Sequence, residues 1–343
     1  MSPEVAKAAV HLGMKNVNTT GLLFYGGEPL LEKQLIYDTV AYTKSFAKEK
    51  KHTFYYKTTT NGTLLDEEFL KFSREANLTI GFSHDGYEQD KCRLFHNGEG
   101  SFALLEEKIP LLLKYQPYAV AMSVMDPSTV ENAAKTVEFL FEKGFKYVSI
   151  NVNYSAPWTE DDLEILRGEY EKMAEIYIKF TRAEQKIYLA PFDMKIISHL
   201  KGEKYHADRR AMAKNQPSVA PDGKIYIGSV HLNNPLYQIG DVFNGLDTER
   251  QDFLFEKCGE LPAPCKECEI MSRCNYAYPG MAENEIVHVM SPVQCAHEQI
   301  ITPIADRAAE VLFKEGNALF MHKHYNKMYP MLSLVEDISQ PSD

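Results

Sequence analysis

The sequence predicts an α/β protein: a partial parallel (β/α)6 barrel of the TIM type with its first strand missing, followed by a small cysteine-rich domain. Strand-like and helix-like stretches alternate through the first two-thirds of the chain, polar residues follow successive strands, and five of the six cysteines lie beyond residue 257. We therefore expect the barrel in residues 1–190, the cysteine-rich domain in residues 191–300, and a C-terminal helix and tail in residues 301–343.

Composition narrows the classes of partner. The chain has 343 residues and a formal net charge of −11, which disfavours a nucleic acid or an anionic membrane as the main partner. No apolar run approaches the roughly 18 residues that span a bilayer. The segment Met1–Glu4 lacks the basic and apolar regions of a signal peptide. We expect a cytoplasmic, reducing location, where close cysteine spacing indicates metal binding or catalysis rather than disulfides.

The first domain begins with a helix, because the Ser2 hydroxyl can cap it and Pro3 suits its first position. The strand candidates are Leu22–Tyr25, Phe54–Thr60, Leu78–Ser83, Tyr118–Val124 and Tyr147–Asn151. The helical stretches between them are Glu32–Lys48, Glu67–Glu75, Phe102–Leu113 and Val130–Lys143. A barrel repeat begins with a strand, so a helix followed by five strands predicts that the opening strand is missing.

A long helix is expected after Thr159, with Asp162 completing a partial capping box. Its apolar residues recur every three or four positions, which is typical of a face packed on a core: Leu163, Leu166, Tyr170, Met173, Tyr177 and Phe180. Further along, Ser218–Tyr226 is expected to form a hairpin that turns at Pro221-Asp222-Gly223, and a last helix is expected over Pro303–Lys314.

Polar residues follow the first three strands. Gly26-Gly27-Glu28 ends the first, Thr60-Asn61-Gly62 the second and Ser83-His84-Asp85-Gly86 the third. In a (β/α) barrel these ends face one mouth, where a glutamate can accept hydrogen bonds from an ammonium group and glycines let a ligand approach the backbone. Each motif alone also fits an ordinary turn. Their occurrence after three successive strands favours a ligand site.

The combination resembles the radical S-adenosylmethionine enzymes, in the branch that matures peptides and anaerobic sulfatases. Residues 26–31, 60–65 and 83–86, then Arg93 and residues 98–102, follow that branch in order and spacing. The resemblance implies that Glu28 meets the amino group of the cofactor and that Ser83 and Arg93 meet its other polar groups. The cofactor-binding residues that it implies are Gly26, Gly27, Glu28, Asn61, Ser83, Asp85 and Arg93.

The late cysteines form a second cluster, Cys265-x2-Cys268-x5-Cys274, with Cys295 further on. Four thiolates at such spacings can hold one zinc ion or one iron–sulfur cluster. The pattern resembles the SPASM extension of this branch, and residues 222–226 and 239–242 resemble other landmarks of it. The resemblance implies that Cys265, Cys268, Cys274 and Cys295 hold an auxiliary [4Fe-4S] cluster. Structural zinc is the alternative.

Two departures from the family pattern affect the expected chemistry. The family's Cys-x3-Cys-x2-Cys loop precedes the motif at Gly26, whereas no cysteine lies before Cys92. A second auxiliary cluster would need cysteines near residues 227–229 and at Tyr278, where none occurs. As written, the chain is not expected to form a 5′-deoxyadenosyl radical. It is either N-terminally truncated, which the missing strand favours, or a degenerate relative.

The resemblance therefore implies a radical SAM/SPASM protein that modifies a peptide or protein side chain by hydrogen abstraction, inactive as given. Its cofactors would be S-adenosyl-L-methionine and the auxiliary [4Fe-4S] cluster, with an electron donor such as flavodoxin or ferredoxin. The alternative is a peptide-binding scaffold without radical chemistry. Tyr154 and Trp158, just past the last predicted strand, either line a substrate channel or pack under the second domain.

Overall fold

The computed structural model describes residues 1–15, 17–201, 216–259, 263–274, 292–326 and 328. Its helices are α1 Pro3–Gly13, α2 Lys33–Lys50, α3 Glu67–Ala76, α4 Gln89–Cys92, α5 Phe102–Tyr115, α6 Ala133–Glu142, α7 Glu160–Arg182, α8 Ala190–Lys201, α9 Thr248–Gly259, α10 Ala263–Lys266, α11 Pro292–Lys314 and α12 Ala318–Tyr325. Its strands are β1 Thr19–Phe24, β2 Thr53–Thr60, β3 Leu78–Ser83, β4 Val120–Met125, β5 Tyr147–Val152, β6 Tyr188–Leu189, β7 Ser218–Val219, β8 Lys224–Tyr226, β9 Gln238–Asp241 and β10 Gly245–Leu246.

The strands form two sheets, and the α/β class is confirmed. β1 to β6 lie in chain order in one six-stranded sheet, with parallel pairing of β1 with β2, β2 with β3, β4 with β5, and β5 with β6. All five predicted strands are present. The sixth was not predicted, because β6 has only two residues and offers no periodic pattern. The expectation of a missing opening strand rested partly on a count of five strands. Since the sheet has six strands, that count no longer supports it.

The chain forms two compact units. The first contains Met1–His84, Ala103–Ala119 and Lys204–Gln294; the second contains Asp85–Phe102, Val120–Glu203 and Cys295–Asp343. They are described separately below.

In the first unit, α1 packs against a four-stranded antiparallel sheet with the order β10-β9-β8-β7. Val5 of α1 joins a buried apolar cluster with Ile225, Ile227, Tyr237, Ile239, Val242 and Leu254. The predicted cap is confirmed, since the Ser2 hydroxyl accepts a hydrogen bond from the Val5 N–H at 3.2 Å. The predicted hairpin is also confirmed: β7 pairs antiparallel with β8 across the turn at Pro221-Asp222-Gly223, where Gly223 has φ 90°.

In the second unit, α7 buries five of the six residues of the stripe that the sequence predicted, and Leu163 is half-buried. Leu166, Tyr170, Met173, Tyr177 and Phe180 are buried, and the Thr159–Asp162 capping box is complete. Two charged groups lie in this core as an ion pair, Lys195 of α8 with Glu298 of α11, both with side chains 1% exposed.

The predicted start of the last long helix was wrong. α11 begins at Pro292 and carries Pro303 in its interior. Proline removes one backbone donor, but buried residues on both sides of it keep the helix in place, including Ile300, Ile301 and Ala305. No helix of the described residues is long and apolar enough to cross a membrane.

Candidate functional site

In the first unit, Glu28 lies just beyond the end of β1, and its carboxylate is fixed by three hydrogen bonds. Oε1 accepts from the Leu30 N–H at 2.9 Å and from the Thr60 hydroxyl at 2.7 Å. Oε2 accepts from the Asn61 N–H at 2.8 Å. Each carboxylate oxygen can accept two hydrogen bonds. Within the part of the chain that the structure describes, Oε2 of the half-buried Glu28 therefore has capacity for another donor.

The loop after β2 that supplies two of these donors is closed by its own side chains. Asn61 Oδ1 accepts from the Thr63 N–H at 3.0 Å and from the Thr63 hydroxyl at 2.8 Å, and the Gly62 N–H donates to the Thr60 hydroxyl at 3.0 Å. Gly62 has φ 79°, and a Cβ there would lie 2.3 Å from the Phe82 ring. Both backbone conformation and packing therefore require glycine at position 62.

Gly26 and Gly27 differ from Gly62 in both respects. Neither has a positive φ, and a Cβ built at either position meets nothing within 4 Å. Neither the backbone conformation nor the packing thus explains these glycines. Open space beside a glutamate with spare acceptor capacity fits a ligand that carries an ammonium group and approaches the backbone closely. The residues therefore fit the amino-acid part of S-adenosylmethionine.

Ser83 ends β3 in the same unit. Thr60 lies opposite Phe82 in the pairing of β2 with β3, so Asn61 and Ser83 follow side by side at the carboxyl ends of these strands. The Ser83 residue is 9% exposed. Its hydroxyl has no hydrogen-bond partner among the described residues, which leaves it able to meet a polar group of a ligand.

In the second unit, Asp85 and Arg93 are brought together. The Asp85 carboxylate, in a residue 3% exposed, accepts from Arg93 Nε at 2.5 Å, from the Ser123 hydroxyl at 3.0 Å and from the Val124 N–H at 2.9 Å. The Arg93 side chain is 30% exposed and keeps donors beyond Nε. Asp85 therefore orients Arg93 and is itself occupied by protein donors.

The segment after Arg93 forms a closed hairpin, with a bridge between Leu94 and Gly100. The Ser101 hydroxyl donates to the Arg93 carbonyl at 2.7 Å. A Cβ at Gly100 would lie 2.3 Å from the Asp90 carboxylate and would displace it from its hydrogen bond with the Phe102 N–H. These contacts give the predicted motif at residues 98–102 a structural role that holds the backbone of Arg93.

Three of the four predicted cluster cysteines lie in the first unit. Cys265 is buried, Cys268 and Cys274 are half-buried, and none of them is in a disulfide. Burial raises the pKa of the Cys265 thiol, and the Cys268 thiol raises it further. Cys295 lies in the first turn of α11 in the second unit.

These donors suit iron or zinc chemically. No group of three or more His, Cys, Asp or Glu residues close enough to hold a metal ion occurs within the described ranges. The four-cysteine site thus stays a prediction, and Tyr278 lies outside the described residues.

Some residues of the site were missed or left open by the sequence. The sequence analysis treated Thr60 as part of a turn motif, yet its hydroxyl donates a hydrogen bond to Glu28. Nothing in the sequence around Ser123, on β4, indicated its hydrogen bond to Asp85. Tyr154 packs inside the second unit, where its hydroxyl contacts His297 Nδ1 at 3.1 Å, and Trp158 Nε1 donates to the Asn153 carbonyl at 2.8 Å. Both side chains are half-buried, and the choice between a channel and packing under the second domain stays a prediction.

Comparison with known proteins gives three informative relatives. A cysteine-type anaerobic sulfatase-maturating enzyme of Clostridium novyi is 30% identical over 128 residues, which are 36% of this chain and 34% of that protein. Its counterpart in Clostridium perfringens is 22% identical over 275 residues, 73% and 71% of the two chains. A serine-type enzyme of Bacteroides thetaiotaomicron is 24% identical over 310 residues, 81% and 74% of the two chains.

Solved structures share the fold. The native anSMEcpe structure with bound AdoMet matches 92% of this chain and 91% of its own with a TM-score of 0.76 and 18% identity. A structure of the same enzyme with AdoMet and the Kp18Cys peptide gives a TM-score of 0.72. The model of the radical SAM superfamily matches residues 1–167, which include β1 to β5 and the Glu28 site. The match to the radical SAM superfamily model therefore covers just under half of the chain, and the solved structures share its fold.

Proposed function

We propose that this protein binds S-adenosylmethionine and takes part in modifying a side chain of a peptide or protein, as a relative of the sulfatase-maturating enzymes. The observation that carries the proposal is the site at Glu28. Its carboxylate is fixed by three hydrogen bonds and has spare acceptor capacity, and a Cβ added at the neighbouring Gly26 or Gly27 would meet nothing within 4 Å. Peptide complexes of the solved neighbour support a peptide as the substrate class. None of the cysteines with described side chains is in a disulfide, which fits the reducing cytoplasm that we propose.

The residues of this chain have distinct parts in that function. Glu28 accepts a hydrogen bond from the ammonium group of the cofactor, Gly26 and Gly27 admit its amino-acid part, and Ser83 and Arg93 bind its other polar groups. Asp85 holds Arg93 in position. With a reduced iron–sulfur cluster, S-adenosylmethionine would supply the one-electron chemistry that removes a hydrogen atom from the substrate side chain. Cys265, Cys268, Cys274 and Cys295 would hold the auxiliary cluster, with a flavodoxin or ferredoxin as electron donor.

The radical chemistry needs three thiolates ahead of Gly26, and these 343 residues have no cysteine before Cys92. We propose that these 343 residues bind the cofactor, and that cleaving it needs three thiolates that they do not supply ahead of Gly26. The same absence favours one second candidate, a peptide-binding scaffold. The two candidates differ in whether the cofactor binds at all.

The deciding experiment is calorimetric titration with S-adenosylhomocysteine, which keeps the amino-acid and adenosine groups and needs no iron. We expect saturable binding that Glu28→Ala weakens at least about 10-fold, the size of one lost charged hydrogen bond. Glu32→Ala, which changes an exposed glutamate in the next helical turn, is the matched control. Absence of binding by the unaltered chain would leave only the scaffold.

The metal at the late cysteines is tested separately. After anaerobic reconstitution with iron and sulfide, we expect about four iron atoms per chain with the absorption of a [4Fe-4S] cluster, and a loss of both in Cys268→Ala. Stoichiometric zinc in place of iron would show that the alternative, a structural zinc site, is correct.

A further inference from the structure

Helix α5, in the first unit, holds the loop that fixes Glu28. Leu105 is fully buried, and its side chain would lie 3.0 Å from a Cβ at Gly62. Lys108 is one helical turn further along the same face. Its Nζ donates to the backbone carbonyls of Thr63 at 3.0 Å and Leu65 at 2.6 Å. Two residues of α5 thus hold the loop between β2 and α3.

The environment of Lys108 lowers the pKa of its ammonium group. Partial burial lowers the pKa of the ammonium group, nearby Asp66 raises it, and Lys33 lowers it. The ammonium hydrogen bonds go to two carbonyls of one turn. A lysine on a helix can extend its charge into water with little loss. Here the ammonium group binds the carbonyls of Thr63 and Leu65 instead, and it therefore stabilises the loop that contains them.

The contacts connect Lys108 to the carboxylate in short steps. Lys108 fixes the carbonyl of Thr63, and the N–H and hydroxyl of Thr63 fix the Asn61 side chain. The Asn61 N–H and the neighbouring Thr60 hydroxyl then bind the two oxygens of Glu28. Each step is a direct hydrogen bond or a peptide link, and all the residues lie in one compact unit.

We propose that Lys108 is a positioning residue for the cofactor's amino group, acting through the loop at residues 60–65 on the carboxylate of Glu28. The inference rests on the proposed function, since it assigns a residue to the binding of that cofactor. Without the two donors of Lys108, the loop backbone loosens and the Glu28 carboxylate no longer keeps the orientation that the ammonium group needs. The adenosine part of the ligand does not depend on this path.

The test compares two ligands. S-Adenosylhomocysteine carries the amino group, whereas 5′-methylthioadenosine keeps the adenosine and lacks the amino-acid part. For Lys108→Met we expect S-adenosylhomocysteine to bind about 10-fold more weakly and 5′-methylthioadenosine to bind within about 2-fold of the unaltered chain. Lys108→Arg, which keeps donors at that place, restores most of the affinity. Lys114→Met changes an exposed lysine of the same helix and has no effect on either ligand.

Coupling to Glu28 gives a second readout. If Lys108 acts through Glu28, adding Lys108→Met to Glu28→Gln weakens S-adenosylhomocysteine binding less than about 2-fold further, because residues in one network are not additive. Should Lys108→Met fail to fold, Lys108→Gln is measured by amide hydrogen exchange. Faster exchange at residues 61–65 together with weaker S-adenosylhomocysteine binding supports the proposal; unchanged exchange overturns it.

The remaining outcomes separate the two proposals. If the unaltered chain binds neither ligand, the proposed function fails and the role of Lys108 falls with it. If the unaltered chain binds S-adenosylhomocysteine but Lys108→Met binds it equally well, or loses both ligands equally, only the positioning role is overturned.

Discussion

Two carboxylates follow strand ends in this protein, and they serve opposite purposes. Glu28, after β1 in the first unit, is half-buried and retains acceptor capacity, with open space at the adjacent glycines. Asp85 follows β3 along the chain and belongs to the second unit. It is buried and accepts hydrogen bonds from Arg93, from a hydroxyl and from a backbone N–H. The first carboxylate is the one that we propose binds the ligand, and the second is paired with a cation of the protein, Arg93.

The difference shows how to distinguish a binding residue from a positioning residue when the sequence motifs look alike. Burial and the charge of the donor decide the question, because both carboxylates accept three hydrogen bonds, whereas only Asp85 is buried and accepts one of them from a cation, Arg93. The second unit also contains a fully buried ion pair, Lys195 with Glu298. Substitutions should therefore cost stability in the second unit and ligand binding in the first.

The largest loss of stability is expected for Lys195→Met. It leaves the Glu298 carboxylate, 1% exposed, without its cation. Removing one partner of a buried ion pair costs about 3–5 kcal/mol. Urea unfolding measures the loss. The double variant Lys195→Met/Glu298→Gln removes both charges and should regain at least half of it; a double variant no better than the single one would show that the packing of Lys195, not its charge, matters.

A smaller loss is expected for Asp85→Asn. The amide keeps the shape but loses the charge that binds Arg93 and turns one acceptor oxygen into a donor facing other donors. Since the Arg93 side chain is 30% exposed, solvent reduces the cost to about 2–3 kcal/mol. The control is Asp161→Asn, an exposed aspartate in the first turn of α7. If both variants unfolded at the same urea concentration, Asp85 would not be a structural anchor.

The sequence predicted the parts of this arrangement that depend on local pattern. Strands β1 to β5, the Ser2 cap, the Thr159 capping box and the buried stripe of α7 all follow from spacing within one element. It could not show that Asp85 is occupied, because Ser123 and Val124 come from a strand almost forty residues away. Nor could it assign Lys108, whose carbonyl partners are 45 and 43 residues away.

The same carboxylate-to-amide change at Glu28 sharpens the comparison. Glu28→Gln keeps one acceptor oxygen at a half-exposed position, so we expect the free energy of unfolding to fall by less than about 1 kcal/mol. Binding of S-adenosylhomocysteine should weaken about 10-fold, because a neutral amide attracts an ammonium group less than a carboxylate does. Unfolding and calorimetry on one preparation measure both effects. A loss of stability as large as that of Asp85→Asn would remove the distinction between the two carboxylates.

The smallest change in stability is expected for Gly27→Ala, and it isolates the ligand from the fold. A Cβ at position 27 meets nothing within 4 Å and the backbone there has no positive φ, so the variant should unfold within about 0.5 kcal/mol of the unaltered chain. Gly62→Ala is the matched control: with φ 79° and a Cβ 2.3 Å from Phe82, it should lose about 1–3 kcal/mol.

Ligand binding then separates the two glycines. Gly27→Ala should weaken S-adenosylhomocysteine at least several-fold without loss of stability, since the added methyl group occupies space that the ligand needs. If Gly27→Ala bound the ligand as tightly as the unaltered chain, the open space beside Glu28 would not be where the cofactor lies. The site would then have to be sought nearer Ser83.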